Sequence, residues 1–306
     1  MRTLILGEAL VDLVCERPVG SPLEADRFMP HFGGAGANVA VTAALAGADV
    51  ALAGGAGDDA WGHWLRDRLA DARVALDHFA LLPDVRTGVA FVTVDAEAEP
   101  DFVIYDEGLA AFTEQLGPRL VEAVEASDAF LFSTGTMVGE QERALTQAAH
   151  ARALELGRPV VFDPNLRPDR WSNPGRATTI ARECVPGAFL VKANRAEARR
   201  LTGETDPVRA AEALLAAGAQ NAVVTLGGDG ALLRGSRLRR DVPGRPVKAV
   251  NATGAGDTFA GTLLAGVAAS GWYPPAIAAG LETAVAAAAQ ATERWGAVAT
   301  APRGRR

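Results

Sequence analysis

From Leu116 onward the chain alternates short apolar runs with amphipathic stretches, and this alternation constrains the fold more than any other feature. Runs at Ala129–Ser133, Val160–Asp163, Phe189–Ala193 and Ala222–Leu226 have the length of strands. The segments between them, ending near Glu125, Leu156 and Leu215, have helical spacing. Short apolar strands separated by helices predict a parallel, doubly wound α/β sheet, because each crossover helix covers a face of the sheet. Ligands of such sheets sit beyond the carboxyl ends of the strands. Polar clusters occupy those ends here: Asp163-Pro164-Asn165-Leu166-Arg167, then Asn194-Arg195-Ala196-Glu197, then Gly227-Gly228-Asp229-Gly230. Three successive strand ends of this kind predict one shared cleft.

The N-terminal part is less regular. Thr3–Leu6 reads as a buried strand that continues, after Gly7-Glu8, as Ala9–Val14. Asp12 is the one charge inside that second run; it is either an edge-strand residue facing solvent or a ligand-binding carboxylate. Glu16–Pro30, rich in proline and charge, predicts a loop or a small irregular element. The run beginning His31-Phe32-Gly33-Gly34-Ala35-Gly36-Ala37-Asn38 is expected to open a helix through Leu45. A dinucleotide fingerprint fits poorly there, since Val39 stands where the third glycine belongs and the preceding segment is not a clean strand. Val50–Gly55 predicts a further strand, with a turn at Gly57–Gly62 and a helix through Leu69. Arg86–Val94 and Asp101–Tyr105 predict a hairpin.

The densest chemistry lies in Val250–Gly261. Gly254, Ala255 and Gly256 allow a tight turn whose N–H groups approach a ligand closely, and apolar residues at helical spacing follow. Thr253 is the candidate N-cap. A glycine-rich turn entering a helix is an anion site. Asp257, in the first turn, would repel a phosphate held there statically. It suits a phosphotransferase, in which the turn stabilises the moving phosphoryl group while the carboxylate accepts the proton of the attacking hydroxyl. The plainer alternative makes Asp257 a favourable first-turn residue. The other strand-end residues also have plain alternatives: Asn194 as an N-cap, Arg167 as a surface residue, and Gly227–Gly230 as a hairpin turn.

Composition removes several classes of function. A net charge of −7 argues against a nucleic-acid surface, with the tail Arg303-Gly304-Arg305-Arg306 read as a solvated end. No run reaches membrane-spanning length and the N-terminal apolar run is too short for a signal peptide, so a soluble, cytoplasmic protein is expected. Cys15 and Cys184 fit reduced, buried thiols. The histidines His31, His63, His78 and His150 lack metal spacing, and neither a Walker A loop nor a Gly-x-Ser-x-Gly elbow is present. Lys192 and Lys248 are the only lysines, so any grip on phosphate is expected from arginine and backbone amides.

Val250–Gly261 resembles the C-terminal signature of the ribokinase-like (PfkB) carbohydrate kinases, Asp-Thr-Thr-Gly-Ala-Gly-Asp. Gly254-Ala255-Gly256-Asp257 is intact. Asn251 stands where Asp is commonest, Ala252 where Thr or Ser is usual, and Thr262 where Ala or Gly is usual. Gly33-Gly34-Ala35-Gly36-Ala37-Asn38 resembles the N-terminal signature Gly-Gly-x-x-x-Asn of the same enzymes, and the motifs keep the family order along essentially the whole chain. The resemblance implies an α/β body over 1–11, 33–85 and 108–306, with a small β lid over 12–32 and 86–107 that covers the sugar or joins two subunits as a homodimer. It implies Asp257 as the base and Gly254, Ala255 and Gly256 as the anion hole. Sugar contacts fall to Asp12, Gly33, Gly34, Asn38, Tyr105, Arg167 and Asp257. ATP contacts fall to Asn165, Asn194, Thr225, Gly227, Gly228, Gly230, Gly254 and Gly256. Glu197 is implied as a partner of Mg²⁺ through water, and Asn251 as a candidate ligand of a monovalent cation such as K⁺. Since Asn251 removes the usual charge there, weak potassium dependence is expected.

Asp163–Pro168 and Gly7–Asp12 resemble the fructokinase and 2-keto-3-deoxygluconate kinase branch. Kinases of acid sugars tend to present Arg just after the lid tyrosine; this chain reads Tyr105-Asp106-Glu107-Gly108. Two acids there would repel an anionic substrate, so fructose is the expected sugar. The alternatives are an acid-sugar kinase, a nucleoside (riboside) kinase and a sugar-binding regulator without catalysis.

Overall fold

A computed structural model describes residues 1–298 except Glu107 and Pro118. The basic tail Arg303–Arg306 and the acid Glu107 therefore lie outside the described residues. Thirteen strands occur among those described: β1 (Thr3–Leu6), β2 (Leu10–Pro18), β3 (Met29–Gly33), β4 (Val50–Gly57), β5 (Phe79–Leu82), β6 (Val89–Val94), β7 (Pro100–Tyr105), β8 (Ala129–Phe132), β9 (Val160–Phe162), β10 (Leu190–Asn194), β11 (Asn221–Thr225), β12 (Gly230–Gly235) and β13 (Arg239–Pro243).

Nine of them form one sheet in the order β13-β12-β11-β10-β9-β8-β1-β4-β5. The strands from β5 to β11 pair in parallel, whereas β12 runs antiparallel to β11 and to β13. The order reverses at β1, whose neighbours are β4 on one side and β8 on the other. A crevice opens beyond the strand ends at such a reversal. Alternate side chains of β1 feed two separate cores. Ile5 packs with the helices Ala35–Leu45, Ala255–Ala269 and Pro275–Ala291, while Leu4 and Leu6 pack on the opposite face with Phe130, Phe132 and Phe162.

A second sheet, β3-β2-β6-β7, stands over the crevice. Here the observed elements depart from the expected ones. His31-Phe32-Gly33 does not open a helix: it ends β3, paired with β2 through Asp12↔His31 and Leu10↔Gly33, and the helix starts at Ala35. The segment expected to be a loop or a small irregular element, Glu16–Pro30, holds a single turn of 3-10 helix at Pro22–Glu24 but is strand at both ends, because β2 runs to Pro18 and β3 starts at Met29. Strands β5, β12 and β13 have no counterpart in the sequence reading. β5 and β13 are the sheet's edge strands, partly exposed and without a continuous apolar signal, while β12 lies inside β13 as the buried antiparallel return of β11.

Two helices approach unusually closely. A Cβ on Gly261 would lie 2.7 Å from Thr42 Cβ and 2.7 Å from the Val39 carbonyl oxygen. Only glycine permits that approach, and the same pair of helices carries Asn38 and Asp257, each one turn earlier on the facing surfaces.

Candidate active site

Gly254 holds φ = 72° and is the N-cap of the helix Ala255–Ala269; Thr253, the expected cap, lies one residue outside. No other residue fits at Gly254, since a Cβ would fall 2.4 Å from that of Ala297 in addition to the backbone cost. Asn251 is fully buried, and its Oδ1 accepts the Thr253 N–H at 2.8 Å. The loop is tied to the end of the last helix by the Val250 and Asn251 N–H groups, both donating to the Thr292 carbonyl. The result is a helix entrance closed on itself, with the Ala255 N–H donating to the Ala252 carbonyl at 3.2 Å.

Asp257 sits in the first turn of that helix, and its Oδ2 accepts a 2.8 Å hydrogen bond from Asn38 Nδ2. Burial pushes its pKa up to about 6, against the opposing pull of the Asn38 bond and the Lys192 ammonium. A carboxylate in that range is poised to accept a proton near neutral pH.

Asp257 opens into a cavity of about 220 Å³ between the strand ends and the second sheet. Asp12, Gly34, Asn38, Asn165, Arg167, Asn194 and Glu197 line it together with Gly254, Gly256 and Asp257, so most of the predicted site residues converge. Asp12 is 3% exposed, which disposes of the solvent-facing alternative. Burial, then the charges of Asp257 and Glu8, raise its pKa well above the usual carboxylate range, with Arg167 opposing. Gly33 does not line the cavity; a Cβ there would lie 2.4 Å from the Asp12 carboxylate, so its part is to leave room for that group. Asn165 adopts φ = 41°, a left-handed conformation that asparagine tolerates better than most residues.

Both carboxylate oxygens of Glu197 are engaged by backbone N–H groups. Its Oε2 accepts the Asn194 N–H and its Oε1 the Leu166 N–H, while Asn194 Oδ1 accepts the Glu197 N–H. The capping reading of Asn194 thus holds, and both side chains still reach the cavity wall. Tyr105 is not brought to the cavity. Alternation along β7 turns Phe102 and Ile104 inward, leaving Tyr105 61% exposed against Phe91 on the outer face.

Three residues that the sequence reading did not assign complete the site. Lys192 is 5% exposed, pairs with Asp163 Oδ2 at 2.9 Å, and its Nζ would lie 3.1 Å from a Cβ on Gly256. Burial alone would discharge it, yet Asp163 and Glu197 raise its pKa overall, so a buried cation stands beside Gly256. A grip on phosphate was expected from arginine and backbone amides; the structure sets a buried ammonium beside the same glycine-rich turn. The signal was a lysine inside the apolar run Leu190–Ala193. Glu8, at the β1 end, accepts the Ala35 N–H through Oε1 while Oε2 has no hydrogen-bond partner among the described residues. Arg170 lines the cavity with its guanidinium 3.7 Å from Asp106.

A second cavity, of about 430 Å³, lies on the other side of Gly256. Thr225, Gly227, Gly228 and Gly230 line it opposite the apolar wall of Val285, Ala288 and Ala289. Gly227-Gly228-Asp229 is the turn of the β11–β12 hairpin, so its turn and ligand-facing readings are compatible. Side chains added at Gly227 or Gly228 would meet nothing within 4 Å and would project into open space. Ala252 and Gly256 border both cavities, so the glycine-rich helix entrance lies at their junction.

Comparison with known proteins gives a consistent set of relatives. The profile described as "pfkB family carbohydrate kinase" matches residues 2–303. Fructokinase of Klebsiella pneumoniae is 33% identical over 304 residues, spanning 97% of this chain and 95% of its own. A fructokinase double mutant from Vibrio cholerae O395, solved with fructose, ADP and potassium ion, superimposes with a TM-score of 0.83 at 29% identity, covering 98% of this chain and 94% of that one. Aminoimidazole riboside kinase from Salmonella enterica, complexed with aminoimidazole riboside and an ATP analog, gives a TM-score of 0.82 at 26% identity, covering 99% and 97%.

Proposed function

The chain belongs to the pfkB family of carbohydrate kinases, and on that footing we propose that it phosphorylates fructose with ATP. The observation that carries the reading is the place of Asp257: a carboxylate oriented by Asn38, in the first turn of a helix whose entrance separates a polar cavity from a glycine-walled one. In the proposed reaction a sugar hydroxyl held near Asp12 and Asn38 loses its proton to Asp257. Its oxygen forms a bond to the γ-phosphorus as the bond to the bridging oxygen of ADP breaks. The amides at Gly254–Gly256 and the Lys192 ammonium would stabilise charge on the moving phosphoryl group. A regulator that merely bound sugar would gain nothing from a base in this position.

Among the described residues no cluster of three or more His, Cys, Asp or Glu could hold a metal ion. Asp163 Oδ1 is buried without a hydrogen-bond partner and Glu197 faces the same cavity, so the donors suit a hydrated Mg²⁺ arriving with the nucleotide. Bound there, the ion would neutralise phosphate charge. The outward aromatic face of the lid, Phe91 and Tyr105 with Val103 beside them, supports the proposal of a homodimer through the lid. The proposed lid comprises 12–32 and 86–107. Cys15 and Cys184 are buried free thiols, in keeping with a cytoplasmic setting.

Asp106 does not face the cavity as a repelling acid; it pairs with Arg170 and accepts the Gly108 N–H. The case for a neutral sugar therefore rests on Asp12 and Glu8, two carboxylates on the cavity wall. Arg167 favours a second reading. It lines the cavity with no carboxylate partner among the described residues and its guanidinium lies 5.6 Å from the Phe102 ring, so it suits the carboxylate of an acid sugar. The test is kcat/KM for fructose, 2-keto-3-deoxygluconate and a riboside panel under saturating Mg-ATP. Fructose is expected to lead, and a tenfold preference for either competitor overturns it.

A further inference from the structure

The turn joining β6 to β7 reaches out of the lid and into the second cavity, where Glu97, Ala98 and Glu99 form part of the wall. The same β7 presents Pro100, Phe102 and Ile104 to the first cavity. One strand and its turn therefore border both compartments. At the tip, the Ala98 carbonyl accepts a 2.9 Å hydrogen bond from the Ala252 N–H, two residues before the Gly254 cap.

That contact is built by the turn itself. Asp95 Oδ1 accepts the N–H groups of Glu97 and Glu99, at 3.0 and 2.9 Å, and the Asp95 carbonyl accepts the Ala98 N–H. These bonds wind the chain so tightly that Ala98 takes φ = 67°, a left-handed conformation that alanine adopts reluctantly. Ala98 is nonetheless buried, at 6% exposure, against the loop it bonds. A strained residue at a buried contact between two elements is retained where surrounding bonds over-determine it. On the other side of the contact, Ala252 belongs to the loop whose Asn251 side chain fastens Thr253 and whose backbone is tied to Thr292.

We propose that Asp95 and Ala98 position the anion hole: the lid turn holds the Ala252 peptide and so aligns the Gly254–Gly256 amides for the nucleotide. Asp95 touches neither cavity and acts only through the turn. The proposal rests on the kinase reading above, and predicts an asymmetric defect. Asp95→Ala frees the turn, so kcat should fall about tenfold and the KM for ATP rise several-fold, while the KM for the sugar stays within twofold. Asp95→Asn keeps a carbonyl acceptor for both N–H groups and should recover at least half the parental kcat.

The experiment is steady-state kinetics of parent, Asp95→Ala and Asp95→Asn, varying ATP and fructose separately, with thermal melts of each protein. Should Asp95→Ala not fold, Asp95→Ser, whose hydroxyl replaces one acceptor, takes its place with a smaller expected loss. Parental kinetics in the Ala or Ser variant overturns the proposal. So does an equal loss on the sugar side, or an Asn variant no better than Ala. A parent with no ATP turnover on any sugar would instead overturn the kinase reading, so the two failures are separable.

Discussion

Asn38 Nδ2 lies 2.8 Å from Asp257 Oδ2, joining the helix Ala35–Leu45 to the helix Ala255–Ala269 across 219 residues of sequence. The donated hydrogen bond orients the carboxylate and also restrains its basicity, since burial raises the Asp257 pKa to about 6 while this bond lowers it.

The acid limb of the pH profile follows. Asp257 must be ionised to accept a proton, so kcat/KM should fall about tenfold per pH unit below roughly pH 6. Asn38→Ala removes a stabiliser of the ionised form and should move the limb to higher pH. A pH–rate series on both proteins checks the direction; a limb that moves to lower pH contradicts it.

Asp257→Asn should lower kcat by about 10²–10⁴, the range for loss of a positioned base. It should also stabilise the ligand-free protein. A carboxyl whose folded pKa is raised binds its proton more tightly when folded, so stability declines as pH rises from the unfolded value of 3.8 through about 6. That displacement corresponds to at most about 3 kcal/mol above pH 6. The variant should melt a few degrees higher than the parent at pH 8, with the gain vanishing near pH 4. An unchanged or lower melting temperature at pH 8 counts against this account.

Gly261→Val should force Thr42 and the Val39 carbonyl away from the helix Ala255–Ala269. The overpacking should cost about 1–3 kcal/mol of stability. By separating Asn38 from Asp257 it should also reduce kcat at least tenfold. Denaturant titration and turnover measure the two effects; full activity would show that the helix spacing does not govern the pair.

Asn251 bears no charge, is fully buried, and has spent Oδ1 on the Thr253 N–H. Activation by KCl over a matched choline chloride control should therefore stay within about threefold, because a cation there gains no ionic ligand from this side chain. Strong activation would place the cation on other oxygens.

The parallel sheet was legible because its central strands, buried on both faces, carry continuous apolar runs, and their polar ends mark the crevice. Asp12 was legible as a charge inside such a run. Tyr105 was misplaced because motif order cannot tell which face of β7 is inward; its pairing with β6 decides that. The β3 strand was hidden because His31-Phe32-Gly33 abuts a glycine-rich helix entrance, and its strand character comes from pairing with β2. Lys192 escaped assignment because its importance depends on Asp163, 29 residues earlier, and on the bare backbone of Gly256.

The two lysines also divide the molecule's amine chemistry. Lys192 is locked in its ion pair beneath the surface, whereas Lys248 is exposed between Val247 and Ala249, which border the larger cavity. Apart from the α-amino group, an acylating dye thus meets a single accessible amine, at the rim of the proposed nucleotide cleft. One fluorophore attached there would report occupancy of that cleft optically, with no cysteine introduced and no competing lysine to block.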